Sequence, residues 1–369
     1  MIYFDHNATT PLDERVLDAM LPFLKSFYGN PSSLYQQGRL GRSAIDSARD
    51  QIASLVDAPS SQVIFTSGGT EANNLALASV PPQGKLAISA VEHPSIIEPA
   101  QRFKSRGGKL SVINVDDNGL ITPIAIDNLI EEKPDLVSIM LANNETGAIQ
   151  DLAPYAQKLR ANNITVHTDA VQAAGKIPLS FKQLGTHLMS LSSHKIYGPK
   201  GCGALIFEKG MEINPLFLGG GQEQALRAGT ENVAAIVGFG KAAELAKTEL
   251  IERHKKLLGL REQLEAHLKS IPDLIIFAQL ANRLPNTVQF GISGVDGEML
   301  LMQLDQKKFA VSSGSACASG ANIPSHVLSA MNIEVTLAKS AIRISLGMQN
   351  TKTEIYEFIN QLKALVYQA

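Results

Sequence analysis

The chain has 369 residues, of which 44% are hydrophobic and 18% are charged, and its formal net charge is −2. This charge leaves no polybasic stripe, so we expect no nucleic acid partner. No apolar run approaches the roughly 20 residues that a membrane-crossing helix needs, so we expect no membrane association. The length exceeds that of one core of ordinary size and predicts two packed domains.

The sequence contains two cysteines, Cys202 and Cys317. Two are too few for a disulfide framework and cannot form a cysteine-ligated iron–sulfur cluster, so no metal site is expected. The N-terminus MIYFDHNATT lacks the basic, apolar and small-residue regions of a signal peptide. These features predict a cytoplasmic protein.

Between about residues 63 and 207, short β-branched or aliphatic runs alternate with helical stretches. The runs are VIFTS, KLAISA, KLSVINV, LVSIML, ITVHT, LMSLSS and ALIF. Alternation of this kind predicts an α/β domain with a mostly parallel sheet. We predict that this large domain covers residues 13–255.

Residues 233–270 carry Ala, Leu, Glu and Lys at helical spacing and predict one long helix that leaves the large domain. A second α/β unit follows, with strand candidates LIIF, TVQF, FAVSS and AIRISL. A last helix over residues 351–369 places its apolar side chains on one face. Together with the extended N-terminal segment, residues 1–12, residues 256–369 are predicted to form a smaller domain.

Polar clusters close several strands of the large domain, which is where ligands bind in open α/β sheets. In TSGGTEANN, residues 66–74, a Gly-Gly-Thr turn runs into a helix. Glycines let the backbone approach a ligand, and free amides at a helix N-terminus favour a phosphate. The lysine of a P-loop is absent, and the motif is also compatible with an ordinary capped helix that has Thr70 in its first turn.

Three more strand ends carry candidate functional groups. VEHPS places His93 past one strand and ANNETG places Asn144 past another, and each is also compatible with a structural turn. HTDAVQ places Asp169 at a buried strand end, where a carboxylate needs a cationic or donor partner. A protonated ring nitrogen would be such a partner.

The segment SSHKIYGPKG begins with the last two residues of the run LMSLSS and places Lys195 at an apolar strand exit. A lysine with a depressed pKa in such a position can form a Schiff base. A phosphate cradle, a carboxylate, an aromatic ring and a lysine on neighbouring strand ends match what pyridoxal phosphate requires. The alternative, five unrelated structural turns, needs five coincidences.

With these motifs the chain resembles the cysteine desulfurases, within the aspartate-aminotransferase-like fold (fold type I) of pyridoxal-phosphate enzymes. The resemblance runs from FDHNATTP to IRISLG and is most specific in SSHKIYGPKG and SSGSACASG. It implies an α/β fold with a mostly parallel seven-stranded sheet in the large domain and a small α/β C-terminal domain. By resemblance, the cofactor-binding residues are Gly69, Thr70, His93, Asp169, Gln172, Ser192, His194, Lys195 and Thr230.

The resemblance also implies a role for each of these residues. Lys195 would bind the cofactor covalently, and Asp169 would pair with the pyridine nitrogen. His93 would stack on the ring and move protons, while Gln172 would bond the ring hydroxyl. The phosphate would be held by Thr70, Ser192 and His194 and, from the other subunit of a homodimer with composite sites, by Thr230.

On the substrate side, the resemblance implies L-cysteine as the ligand. Asn144 and Arg343 would hold it, and an arginine suits a bidentate grip on a carboxylate. Asn7 and Asn30 lie in the motifs HNATT and GNPSS, which line the same side in the family.

Cys317 lies in SSGSACASGANIPS, a run of small residues that suits a mobile segment more than a core. The alternative for a lone cysteine is a small buried hydrophobe. The resemblance implies that the Cys317 thiolate takes the sulfur of L-cysteine and becomes a persulfide, with alanine as the other product. Cys202, at the start of a strand, is expected to be structural.

The implied function is a pyridoxal-phosphate-dependent cysteine desulfurase that passes sulfur to an acceptor or scaffold protein. Iron–sulfur cluster assembly is the expected pathway, and tRNA thiolation is another. A selenocysteine lyase or cysteine β-lyase on the same fold is the alternative enzyme, although a lyase that releases sulfide needs no nucleophilic thiol. A non-catalytic sulfur-relay or scaffold-binding protein is the alternative of a different class, and the presence of Lys195, Asp169 and Arg343 argues against it.

Overall fold

The computed structural model describes residues 1–313 and 324–367. The strands are β1 (Ile2–Tyr3), β2 (Val63–Thr66), β3 (Lys85–Ser89), β4 (Lys109–Ile113), β5 (Leu136–Ser138), β6 (Thr165–Asp169), β7 (Leu188–Ser192), β8 (Gly203–Phe207), β9 (Leu274–Ile276), β10 (Thr287–Ile292), β11 (Phe309–Ala310) and β12 (Ile342–Ser345). The helices are α1 (Glu14–Lys25), α2 (Gln36–Leu55), α3 (Gly69–Leu77), α4 (Pro94–Ser105), α5 (Pro123–Glu132), α6 (Leu152–Ala161), α7 (Phe181–Leu184), α8 (Val233–Thr248), α9 (Leu250–Leu268), α10 (Gly297–Gln306), α11 (His326–Ala330), α12 (Val335–Lys339) and α13 (Lys352–Val366). Short 3₁₀ turns occupy Ser60–Gln62, Ser193–Lys195 and Gln222–Ala225.

The largest sheet of the described chain has seven strands in the order β2-β8-β7-β6-β5-β3-β4. Strand β8 is antiparallel to both of its neighbours, and the other adjacent pairs are parallel. Strand β2 therefore runs in the same direction as β7. The carboxyl ends of β2, β3, β5, β6 and β7 consequently meet at one edge. The structure confirms the predicted α/β fold with a mostly parallel seven-stranded sheet.

Both faces of this sheet are covered, except at the edge strand β4, which is partly exposed. In β2, Val63 and Phe65 pack into one apolar cluster with α2 and α8. Ile64, between them, packs into a second cluster with α3 and α4 on the opposite face. Successive side chains of a strand point to opposite faces, so a strand covered on both sides is apolar at most positions. A polar side chain buried within such a strand, such as His167 of β6, is hydrogen-bonded. This explains why most strands of this sheet read as predominantly hydrophobic runs rather than as alternating ones.

A separate apolar cluster organises the C-terminal region around the antiparallel strands β12, β10 and β9. Strand β1 pairs in parallel with β11, so the N-terminal segment joins this region. The rings of Phe4 and Phe309 both pack edge-on against Phe358 of α13, with centroid distances of 5.8 and 5.5 Å. The predicted boundaries, 13–255 and 256–369, stay a prediction.

The prediction of one long helix over residues 233–270 is wrong, because the structure has two helices, α8 and α9. Glu249 separates them with φ −99° and ψ 5°. Its carboxylate accepts hydrogen bonds from Arg15 of α1 (2.5 Å) and from Arg253 of α9 (2.8 Å). These ion pairs join three helices at the break. The spacing of apolar residues within one segment does not depend on such a long-range contact, so it could not predict the break at Glu249.

The last helix, α13, follows the predicted amphipathic pattern. It begins with a capping box, in which the Thr351 side chain accepts from the Glu354 amide and the Glu354 side chain accepts from the Thr351 amide. The box satisfies two amide groups that a helix start leaves without partners. The buried face consists of Ile355, Phe358, Ile359 and Leu362.

Candidate active site

A cavity of about 600 Å³ lies where the carboxyl ends of the parallel strands meet. The N-terminal segment, β12 and the first residue of α11 complete its wall. The structure brings most of the predicted site residues together here. Those that line the cavity are Asn7, Gly69, Thr70, His93, Asn144, Asp169, Gln172, Ser192, His194, Lys195 and Arg343.

Two predicted residues, Asn30 and Thr230, do not line this cavity. Asn30 is exposed in a turn, where its side-chain oxygen accepts from the Ser32 amide (2.9 Å). Thr230 is exposed on the loop that precedes α8. On the same loop, Arg227 forms an ion pair with Glu71 (3.0 Å) in the first turn of α3. The loop that carries Thr230 is therefore tied to the helix whose N-terminus faces the cavity.

Of the two cysteines, the structure describes Cys202. Cys317 lies outside the described residues. Cys202 is 2% exposed in the core beside the seven-stranded sheet. Burial, with a smaller contribution from Glu223, raises the pKa of its thiol to about 12. A protonated, buried thiol is a poor nucleophile.

Lys195 is held at the cavity by the N-terminal segment. It ends the 3₁₀ turn that follows β7, and its Nζ donates to the main-chain oxygens of Asn7 (2.6 Å) and Ala8 (2.7 Å). The amide and the hydroxyl of Thr10 both donate to the main-chain oxygen of His194, each at 2.9 Å. Two segments nearly 190 residues apart in sequence thus fix the position of this lysine.

Asp169, the last residue of β6, is 3% exposed and faces the cavity. Its Oδ2 accepts from the Asn73 side-chain amide (2.7 Å), and its Oδ1 accepts from the Val171 amide (2.9 Å). Hydrogen bonds to a charged group are shorter and stronger than neutral ones, so these two donors orient the carboxylate. A cationic ring nitrogen in the cavity would complete its partners.

His93 is the N-cap residue of α4, and Pro94 follows at the first helical position. Its Nδ1 accepts from the Ser95 amide (3.1 Å) and contacts the Ser95 hydroxyl (2.7 Å), which itself accepts from Asn73 (2.8 Å). Because Nδ1 is an acceptor, the ring proton of the neutral form lies on Nε2. Burial lowers the pKa of His93, and the nearby Asp169 opposes this shift. The ring can therefore exchange a proton at Nε2.

The phosphate-binding prediction falls on three adjoining elements. Gly69 and Thr70 begin α3, a nine-residue helix whose N-terminal amides favour an anion. Ser192 ends β7, and its buried hydroxyl has no hydrogen-bond partner among the described residues. Burial and the neighbouring Lys195 lower the pKa of His194 to about 4, so this side chain is neutral at pH 7. A buried hydroxyl at a helix N-terminus fits an oxygen-rich anionic group.

Arg343 brings a positive charge to the cavity from β12 and is 2% exposed. One guanidinium nitrogen contacts Asp5 (2.6 Å), and another donates to the main-chain oxygen of Asn144 (3.1 Å). The planar guanidinium is suited to a carboxylate ligand. Because Asn144 also lines the cavity, the two predicted substrate-binding residues lie next to each other.

Sequence reasoning missed several residues that line the same cavity. Asn73 and Ser95 lie inside TSGGTEANN and VEHPS, and the signal that could have found them was a polar residue in the first turns of a helix that begins at the cavity. Glu145, taken as part of a turn, accepts from the Ser325 hydroxyl (2.6 Å). His326, whose Nε2 contacts the main-chain oxygen of Glu92 (2.8 Å), had no sequence signal beyond its residue type.

Comparison with known proteins agrees with this geometry. The model of the aminotransferase class-V family matches residues 2–358. The chain is 43% identical to the cysteine desulfurase IscS of Dictyoglomus turgidum, over 99% of this chain and 94% of that protein. It belongs to the cysteine desulfurase family.

Solved structures of this family have the same fold. A NifS-like protein is 35% identical with a TM-score of 0.94, and a NifS-like protein from Rickettsia africae is 37% identical with a TM-score of 0.91. In both comparisons the match covers all of this chain and all of the solved chain. The predicted family and the aspartate-aminotransferase-like fold class are confirmed.

Members of the cysteine desulfurase family depend on pyridoxal phosphate, and the residues of this cavity fit that cofactor. The buried hydroxyl of Ser192 at the N-terminus of α3 suits the phosphate. The carboxylate of Asp169 is oriented by two donors and suits a protonated ring nitrogen. Lys195 carries an amine of the kind that binds the aldehyde carbon of this cofactor. Each requirement is therefore met by a residue that lines the same cavity.

Proposed function

We propose that this chain is a pyridoxal-phosphate-dependent cysteine desulfurase that converts L-cysteine to L-alanine and receives the sulfur on Cys317. The observation that carries the proposal is that Lys195, Asp169 and Arg343 line one cavity. A lysine and a carboxylate are what the cofactor needs, and an arginine is what the carboxylate of an amino acid needs. Membership of the cysteine desulfurase family supports L-cysteine as that amino acid.

Each residue of the cavity has a distinct task in this proposal. Arg343, with Asn144 beside it, binds the carboxylate of L-cysteine and orients its α-carbon. Asp169 holds the protonated ring nitrogen, while Thr70, Ser192 and His194 hold the phosphate. Pyridoxal phosphate, when bound, withdraws electrons from the α-carbon and so makes its proton acidic.

Two groups of the protein then move protons and one moves sulfur. Lys195 Nζ removes the α-proton, and His93 exchanges a proton at Nε2. The Cys317 thiolate attacks the sulfur of L-cysteine, so a sulfur–sulfur bond forms as the carbon–sulfur bond breaks. The electron pair of the broken bond stays with the β-carbon, which takes up a proton and becomes the methyl group of alanine. Cys317 is left as a persulfide for transfer to an acceptor.

Product analysis tests this reaction directly. Protein loaded with pyridoxal phosphate is incubated with L-cysteine and a thiol reductant, and alanine, sulfide and pyruvate are quantified. Equal amounts of alanine and sulfide are expected. Pyruvate with sulfide would replace the proposal by β-elimination, and no turnover would leave a relay or scaffold role.

The two cysteines provide a matched pair of variants for the same assay. Cys317→Ala is expected to abolish sulfide release, because no thiol remains to accept the sulfur. Cys202→Ala is expected to retain it, because that thiol is buried and protonated. Activity in Cys317→Ala would show that a β-lyase or selenocysteine lyase mechanism operates instead.

We also propose that the protein is a homodimer in which Thr230 contacts the phosphate bound by the partner subunit. Support comes from the exposure of Thr230 and from the Arg227–Glu71 ion pair, which ties its loop to α3. Thr230→Glu places a negative charge at the phosphate, and Lys195→Ala removes the lysine. Each variant alone is expected to be inactive, whereas mixed dimers regain one intact site. Mixtures that stay inactive although mixed dimers form would contradict the composite site.

We further propose that the persulfide sulfur passes to an acceptor or scaffold protein of iron–sulfur cluster assembly in the cytoplasm. Family membership supports this role. No helix in the described part of the chain is long and apolar enough to cross a membrane. Labelled sulfur from L-cysteine should appear on clusters in a reconstitution with a scaffold protein. Transfer to thiolated tRNA alone would assign the protein to the other pathway.

A further inference from the structure

Lys176 is a buried lysine that the proposed reaction does not use. It is 6% exposed and lies in the turn that follows β6. Its Nζ lies 2.6 Å from Gln172 Oε1 and 2.9 Å from Asn7 Oδ1. Among the described residues it forms no ion pair with a carboxylate. A lysine amine buried among neutral oxygens loses its hydration, so its presence needs an explanation.

Lys176 and the main-chain oxygen of Asn7 together fix which way the Gln172 amide points. Lys176 Nζ donates to Gln172 Oε1 (2.6 Å), and the main-chain oxygen of Asn7, which can only accept, faces the Gln172 nitrogen. The nitrogen Nε2 then points away from Lys176, and one of its two protons is donated to the main-chain oxygen of Asn7 (2.9 Å). Gln172 lines the cavity, so its second Nε2 proton is available to a ligand.

Asn7 is fixed by the same lysine. Its Oδ1 accepts from Lys176 and from Asn286 (3.1 Å), while its Nδ2 donates to Thr287 (2.9 Å). The main-chain oxygen of Asn7 accepts from both Lys195 (2.6 Å) and Gln172. Lys176 therefore contacts both Asn7, which accepts from Lys195, and Gln172, which is predicted to contact the cofactor ring.

We propose that Lys176 is a positioning residue that, together with the main-chain oxygen of Asn7, holds Gln172 so that it presents a hydrogen-bond donor to the ring hydroxyl oxygen of the cofactor. This inference rests on the proposed pyridoxal-phosphate site. A donor aimed at that oxygen stabilises its anionic form, which lowers the pKa of the cofactor bound at Lys195. Lys176 thus acts through Gln172 and does not touch the reacting atoms.

Other charged groups act on the same region and stay unchanged in the test. Burial is the largest cause that lowers the pKa of Lys176, followed by Lys195 and Arg343. Asp5 pairs with Arg343. The remaining titratable groups at or beside the cavity are His6, Glu92, His93, Glu98, Glu145, Asp169, His194 and His326.

The test measures the pH midpoint of the visible absorption change of protein loaded with pyridoxal phosphate. Lys176→Met removes the donor and keeps a similar length and shape. It is expected to raise the midpoint by about one unit, a tenfold change in proton affinity, because Gln172 Oε1 and Asn7 Oδ1 both lose this donor and the amide is held less firmly towards the ring. Lys182→Met, at an exposed lysine of α7, is the control and should leave the midpoint unchanged.

A double-variant cycle separates positioning from a direct effect of charge. Gln172→Leu removes the donor itself and should raise the midpoint at least as much as Lys176→Met. Adding Lys176→Met to Gln172→Leu should then produce no further rise. A full additional rise would overturn the proposal, since Lys176 would be acting on the cofactor directly.

Two results distinguish failure of this inference from failure of the proposed function. Absence of a visible band in the loaded wild-type protein would reject the cofactor site itself. A normal band whose midpoint is the same in Gln172→Leu and in the wild type would reject the positioning role alone. This second comparison needs no Lys176 variant, so it decides the question even if Lys176→Met does not fold.

Discussion

Replacing Asn73 by Leu tests how far Asp169 depends on a neighbour outside the predicted site. The change keeps the size of the side chain and removes the amide that donates to Asp169 Oδ2 (2.7 Å) and to Ser95 (2.8 Å). A hydrogen bond to a charged group contributes about 1.5–3 kcal/mol, and about 1.4 kcal/mol corresponds to a tenfold change in rate. Loss of the bond to Asp169 alone therefore predicts a roughly 10- to 150-fold fall in kcat/KM for L-cysteine.

A comparison with Ser95→Ala shows whether the charge is responsible. This change removes neutral hydrogen bonds around His93, which contribute about 0.5–1.5 kcal/mol, so the expected fall is only about 2- to 12-fold. Asn74→Leu, at the next residue of α3, is the control for loss of an amide that does not contact Asp169. The Asn74 amide donates instead to the main-chain oxygens of Thr70 and Ser95.

The assay is the initial rate of alanine release at saturating pyridoxal phosphate. Cofactor content is read from visible absorption, and thermal unfolding of each variant is measured in parallel. The reasoning would be refuted if Asn73→Leu, folded and fully loaded, lost no more activity than Asn74→Leu. It would also be refuted if Ser95→Ala had the larger effect, because the neutral bonds would then matter more than the bond to the carboxylate.

Three further predictions concern the rest of the chain. Iodoacetamide should inactivate the enzyme through Cys317 while Cys202 stays unmodified, as its pKa is raised to about 12; mass spectrometry of the alkylated peptides checks this. Burial lowers the pKa of His167 to about 3, so between about pH 6.5 and 3 the unfolded chain binds a proton that the folded chain does not. The free energy of unfolding should therefore fall as the pH falls through this window, and less steeply in His167→Gln, as urea titrations at several pH values would show. Phe358→Ala should lower the free energy of unfolding by about 3–5 kcal/mol, since this ring is fully buried; a loss below that of an exposed substitution such as Tyr356→Ala would contradict the assignment of the core.

The seven-stranded sheet could be predicted from the sequence because its strands are covered on both faces. Burial on both sides favours a largely apolar run at each strand, and polar residues cluster where the strand ends. Asp169 and Ser192 were visible as candidates for that reason, since each closes such a run. The break at Glu249 was not visible, because it depends on an ion pair with Arg15, more than 230 residues away in sequence.

The same reasoning explains which parts of the site sequence reading missed. A residue that contacts a ligand tends to stand out where an apolar strand ends, whereas a residue that holds such a side chain in place is identified only by its partners. Lys176 lies four residues after Gln172, a spacing equally typical of an exposed helical surface. What distinguishes it is its contact with Asn7 of the N-terminal segment, which also donates to Thr287 of β10. The proposed role of Lys176 in orienting Gln172 therefore depends on a contact between distant parts of the chain and cannot be read from a local sequence pattern.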